Sequence, residues 1–271
     1  MHEGRAELPV LLSVPHAGRD YPDWLIDSAR SGRAALQTLE DPLVDRLVEP
    51  AIAAGFGAVI ARTPRAAIDC NRSEEDIDPA VIRGSRPGPT SARARGGLGI
   101  IPARTVSHGS LWRRPVDRAE LEQRIAGAHR PYHEAIDRAL KGLLARFGCA
   151  LLLDCHSMPT PSPRGPQVVI GDRFGRSATR WLTAEALTIA RQRGFTASVN
   201  EPFAGGHVVE RHGDPARGQH ALQIEIDRSC YLEPDGRTLS GRAADAAALI
   251  TALAEGLGGA LLGRGLPAAA E

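Results

Sequence analysis

Polar residues with catalytic potential fall where the apolar runs of this sequence stop. They are His16 after "LPVLLSV", Arg65, Asn71 and Arg72 beyond "GAVIA", Asp154 and His156 after "ALLL", and Glu225 inside "ALQIEIDR". In open α/β sheets ligand sites gather at the carboxyl ends of strands. Two imidazoles and a carboxylate around an open coordination position are a recurring zinc-hydrolase solution, because these ligands suit a borderline metal and leave one place for an activated water. A further carboxylate then has to act as base. Guanidinium groups, with an Asn amide beside them, are suited to gripping a substrate carboxylate.

Each residue also has a plainer reading. A histidine beside proline in a strand-ending turn is about three times more often a hydrogen-bonding residue than a ligand. Asp154 either orients His156, as metal-bound histidines require, or caps the turn; strand alternation points both side chains the same way. Glu225 taken alone reads as an ordinary strand residue. Arg65 and Arg72 read as solvated loop charges balanced by "EEDID" at 74–78.

The elements that have to position these groups alternate along the chain. "LPVLLSVPH" (8–16) is a buried strand stopped by Pro15, and "GAVIARTP" (57–64) is a second. Between them Leu36, Leu39, Leu43 and Leu47 recur at steps of three and four from Ala34 onward, predicting a helix with Pro42 in a first turn and bringing Asp41 and Asp45 to its entrance. A long loop rich in Gly, Pro and Arg follows at about 65–115, of the length usually reserved for function. Asp117 and Glu120 then read as a capping pair for a helix to about Phe147. Strands at "CALLL", "QVVIGD", "TASVN" and "ALQIEIDR", a helix over about 177–193, a Gly-rich loop, and a C-terminal helix from about Arg242 complete the pattern. It predicts one α/β domain spanning 1–271, a sandwich on a mixed, mostly parallel sheet.

The 271 residues are 42% hydrophobic, enough for one large core, and the formal charge of +1 offers no field for nucleic acid. The stretch 83–118 holds eight arginines against one acid, but its only base-stacking aromatic is Trp112, which disfavours single-stranded nucleic-acid binding. No G-x-S-x-G or G-K-[ST] occurs, which argues against a serine hydrolase and a P-loop. Four cysteines without a C-x-x-C pair suggest reduced thiols. With no signal-like N-terminus and no uninterrupted apolar run of about 18 residues, the expectation is a cytoplasmic protein without a membrane or nucleic-acid partner, acting on a small molecule.

The set "SVPHAG", "DPLVDRL", "RAAIDCNR", "GGLGII", "PYHEAI", "LLLDCHSMP", "GDRFG", "FAGGHVVERHG" and "ALQIEIDRSCYL" resembles the N-formylglutamate amidohydrolase family, in order, over about residues 9–232. That family is in turn similar in fold to zinc carboxypeptidases and aspartoacylases, so the resemblance implies a three-layer sandwich holding one Zn²⁺ and hydrolysis of an N-acyl amino acid, most directly N-formyl-L-glutamate to L-glutamate and formate in histidine degradation. It implies His16 and His156 as zinc ligands, Glu225 as catalytic base, and Arg65 as the group that polarises the scissile carbonyl. Asn71 and Arg72 become the substrate-carboxylate clamp, with Arg173 for a second carboxylate, and Asp154 and His207 become supporting residues. Carboxypeptidase-like sites carry their acidic ligand three residues after the first histidine, where this chain has Arg19. Asp41 is the chosen replacement and Asp45 the second choice. His207 stands where a tyrosine is expected, and the Trp-His pair expected before "VDRL" is missing. These departures leave a deacylase of another N-acyl amino acid as the alternative.

Overall fold

A computed structural model describes residues 1–5, 7–84, 91–162 and 164–265. The chain divides into two compact units, one formed by Met1–Val14, Pro42–Val59 and Ala135–Glu271, the other by Pro15–Asp41 and Ile60–Glu134.

The first unit is built on a six-stranded sheet of β1 (Val10–Val14), β2 (Gly57–Ile60), β5 (Ala150–Met158), β6 (Val168–Gly171), β7 (Ala197–Val199) and β8 (Gln219–Asp227). Its order is β2-β1-β5-β8-β6-β7. β5 runs parallel to both β1 and β8, β6 is antiparallel to β8, and β7 is parallel to β6, so the sheet is mixed and mostly parallel, as expected. All nine positions of β5 are buried, which is why its sequence shows an unbroken apolar start instead of alternation.

Helices α3 (Val44–Leu47), α4 (Glu49–Ala53), α8 (Arg180–Gln192) and α10 (Ala243–Gly265) pack together in this unit. α10 is long and apolar enough to cross a bilayer by length and composition, yet over half of its most apolar stretch is buried inside the protein. Two glycines explain how closely it docks: a Cβ on Gly256 would stand 2.7 Å from Ile189 of α8, and one on Gly258 would stand 2.9 Å from Val10 of β1. A core helix is the physical reading of that contact.

The second unit holds α1 (Asp23–Ser28), α2 (Gly32–Gln37), α5 (Ala92–Arg95), a small hairpin of β3 (Arg104–Thr105) and β4 (Gly109–Ser110), and α6 (Arg118–Arg124). Its core gathers Leu25, Leu36, Ile68, Ile82, Ile100, Leu111 and Ile125. Arg124 is buried in it, donating to the Ala67 carbonyl at 3.0 Å with its guanidinium over the Trp24 ring. The helix begun by α6 continues through a π turn at Ile125–His129 into α7 (Arg130–Phe147), whose first turn belongs to this unit.

Several local expectations are corrected. The helix read from Ala34 to Leu47 is broken: α2 ends at Gln37, and α3 starts afresh at Val44 after Leu43, which sits in the left-handed region at φ 61°. Asp117 does occupy the N-cap of α6, but makes no side-chain capping bond, and Glu120 pairs with Arg124 and Arg114 instead. The second strand stops at Ile60. The Gly-rich stretch before β8 contains the short helix α9 (His207–His212). β5 does not end on Asp154 and His156; it carries both inside the strand and runs on to Met158.

Candidate active site

Strand parity explains the polar row on the sheet of the first unit. Along β5, Asp154 and His156 share a face, and along β8 so do Gln223 and Glu225. The parallel register sets Asp154 beside Gln223 and His156 beside Glu225, while β1 sets Ser13 beside Asp154. Ser13 Oγ donates to Asp154 Oδ1 at 2.7 Å, and Asp154 Oδ2 lies 2.9 Å from His156 Nε2. A carboxylate that accepts on both oxygens fixes the proton of His156 on Nε2, so Nδ1 is the nitrogen suited to a metal. Gln223 Nε2 donates to Glu225 Oε1 at 2.8 Å, and Gln223 Oε1 accepts from the Gly206 amide at 2.7 Å. Glu225 is thereby aimed, with 8% of its surface exposed.

In the same unit, Arg173 lies in a turn with φ 53° and is ion-paired to Glu210 of α9. Asp172 organises that turn by accepting from the Gly175 amide, from Asn200 and from Thr183. His207 is the first residue of α9 and is half-buried; Asp45 is half-buried in the first turn of α3.

The second unit carries His16 just beyond the end of β1. Its Nε2 is 2.7 Å from Asp69 Oδ1 and its Nδ1 is 3.2 Å from Asp41 Oδ2. The Asp41 amide also donates to the His16 carbonyl at 3.0 Å, which ties the two residues together twice. Asp69 is fully buried. Burial opposes its ionisation, but the charges of Arg65, His16 and Arg72 and the His16 hydrogen bond more than offset this and hold its carboxyl well below the usual range. An ionised Asp69 only accepts, so His16 Nε2 donates to it, and Nδ1 is the nitrogen turned toward Asp41. Two ligands about 2.0–2.2 Å from one zinc at a tetrahedral angle stand about 3.4 Å apart. The His16–Asp41 pair therefore fits a metal ion, and both histidines of the expected ligand set reach a buried aspartate through the same nitrogen.

Asp69 is also the hub of the turn that follows. Arg65 Nε donates to its Oδ2 at 2.8 Å, the Asn71 amide to its Oδ1 at 2.8 Å, and the Arg72 amide to its carbonyl at 3.1 Å. Arg72 is buried, which lowers the pKa of its guanidinium although Asp69 acts the other way. Its Nε and Nη1 donate to the carbonyls of Leu98 and Asn71. Asn71 is 4% exposed. Neither Asp69 nor Gln223 is among the expected site residues. Asp69 was legible as the acid of the "RAAIDCNR" segment, and Gln223 in the polar alternation Gln223, Glu225, Asp227.

Replacing Asp69 by Asn keeps its shape and removes the buried negative charge that faces Arg65 and Arg72. Removing one partner of a buried pair costs about 3–5 kcal/mol, and a loss of that size is expected in urea unfolding at pH 7. Because the folded-state pKa is depressed, the wild-type stabilisation is present above the unfolded value of about 3.9 and is lost as pH falls through the lower folded value. The Asn variant should lack that acid-side loss. A change below about 1 kcal/mol at pH 7 would show that Asp69 is not the hub.

The arginine-rich stretch is used internally. Arg104 donates to the carbonyls of Arg95 and Gly96, Arg113 to those of Asp27 and Ala29, and Arg83 faces Asp117. Residues 85–90 of that stretch lie outside the described residues.

Comparison with known proteins agrees with the motif order. The family model described as N-formylglutamate amidohydrolase matches residues 8–232. An N-formylglutamate deformylase from Pseudomonas putida is 32% identical over 241 residues, covering 86% of this chain and 84% of its own. One from Pseudomonas aeruginosa is 29% identical, covering 84% of each. The crystal structure of N-formylglutamate amidohydrolase from Ralstonia eutropha JMP134 superposes with a TM-score of 0.88 at 32% identity, covering 98% of both chains.

Proposed function

The chain belongs to the N-formylglutamate amidohydrolase family, and from that we propose that it hydrolyses the amide of N-formyl-L-glutamate to formate and L-glutamate, as a step of histidine degradation in the cytoplasm. The enzyme class follows from the family; the substrate, the metal and the residue roles are our reading. The observation that carries it is the shared Nε2 contact of His16 and His156 with Asp69 and Asp154, since metal-bound histidines donate their other ring N–H to carboxylates.

On this reading His16, Asp41 and His156 hold one zinc ion. Zinc, when bound, supplies Lewis acidity toward a water molecule and the amide carbonyl. Glu225 takes the proton of the attacking water on Oε2, its Oε1 being held by Gln223, and returns it to the departing amine nitrogen. Arg65 donates to the oxygen on which negative charge develops. Asn71 and Arg72 hold one substrate carboxylate, and Arg173 is assigned to the other. Asp154 keeps the His156 ring in its tautomer, and His207 is assigned a supporting role. Four free, buried cysteines are in keeping with a reducing compartment.

Release of formate from N-formyl-L-glutamate by the purified protein, with metal analysis of the same sample, tests the whole. Absence of turnover after zinc reconstitution would remove the reading. His207 in place of the expected tyrosine makes another N-acyl amino acid the second reading, and a panel of acyl groups separates the two: formyl should be fastest.

Arg72→Ala should raise KM by the equivalent of about 2–5 kcal/mol, the usual cost of truncating one side of a buried charge pair. An N-formyl amine without a carboxylate should be affected far less. Equal loss on both substrates would contradict the clamp.

A further inference from the structure

The turn at Asp69–Arg72 is gripped by two histidines that the roles above leave unused. His129 closes the π turn and His133 follows four residues later in α7, so both lie on one helix face, with ring centroids 4.5 Å apart. They are 0% and 1% exposed. His129 Nε2 is 2.8 Å from the Arg72 carbonyl, and His133 Nε2 is 3.0 Å from the Cys70 carbonyl. A carbonyl only accepts, so both rings donate from Nε2.

The intervening carbonyl, that of Asn71, accepts from Arg72 Nη1. Three successive carbonyls are thus each held by a buried side chain. The π turn is part of the device. It adds one residue to the helical turn, and one residue rotates a helix face by about 100°, so its insertion changes which side chains face the loop. Such turns are frequent at functional sites.

We propose that His129 and His133 are positioning residues for substrate recognition, fixing the carbonyls on either side of Asn71 and thereby the aim of the Asn71 amide and the Arg72 guanidinium. The inference rests on the reading that Asn71 and Arg72 hold a substrate carboxylate. It separates substrate grip from catalysis, because the two histidines hold the backbone carbonyls of Arg72 and Cys70, on either side of the clamp residue Asn71.

The test compares His133→Gln with His133→Asn. Glutamine places a donor near the position of Nε2, whereas asparagine leaves it short of the Cys70 carbonyl. The asparagine variant should raise KM for N-formylglutamate at least about tenfold, with kcat changed less than about threefold, and glutamine should restore KM. Amide exchange over residues 69–73 should rise in the asparagine variant alone. Loss confined to kcat, failure of glutamine to restore KM, or unchanged exchange over 69–73 would each overturn the proposal. If the wild-type protein releases no formate, the function proposed above fails, while the exchange comparison still decides the clamp.

Discussion

Glu225→Gln lowers turnover of N-formylglutamate by about 10²- to 10⁴-fold or more, the usual contribution of a positioned general base, and leaves zinc near one ion per chain. The substitution is isosteric and sits in a buried strand beside His156 in register. Its partner contact survives in altered form, because the Gln223 side chain can still donate to an amide oxygen at that position. What disappears is the proton acceptor. Substrate binding should change little, since the base acts mainly in the transition state. Metal content and kcat measured on one preparation decide the matter. If the variant loses its metal, Glu225 is a ligand, and the base has to be sought among Asp45, Asp154 and His207.

His156→Ala gives the opposite signature. With the imidazole removed, two ligands of the assigned set remain, and zinc sites rest on three protein ligands in hydrolases. Zinc and activity should fall together, and adding zinc should restore little. The substitution also leaves Asp154 buried beside an empty volume, with Ser13 still donating to it, so the fold should be checked by unfolding in parallel. Stoichiometric zinc in the alanine variant would take His156 out of the ligand set and would leave its contact with Asp154 as a structural bond.

Local pattern carried much of this far. The apolar runs at 8–14 and 150–153 were readable as strands because burial on both faces removes polar residues from them, whereas 219–227 showed an alternation of apolar and polar residues. The polar residues at which those runs stop were therefore conspicuous. His16, Asp154 and His156 stood out in this way, while Glu225 gained its reading only from the motif order that resembles a family. What resisted was anything set by a partner distant in the chain. The break between Gln37 and Val44 includes a left-handed backbone at Leu43, a residue whose type gives no warning of it. The continuation of β5 to Met158 depends on β8 offering hydrogen bonds along all nine positions. The π turn at Ile125–His129 leaves the helical periodicity on either side intact.

The sequence by itself determined the class of fold, the order of its main elements and the family to which its motifs belong, because these depend on residue type and on periodicity along the chain. The tertiary structure alone decided their relations. The register of β5 against β8 put His156 next to Glu225; the loop at Asp69 reached back 53 residues to His16; and His129 and His133 met the carbonyls of Arg72 and Cys70 across about sixty residues of chain. The physical reason is that a hydrogen bond specifies geometry within a few tenths of an ångström, whereas a sequence pattern specifies only which face of an element is buried.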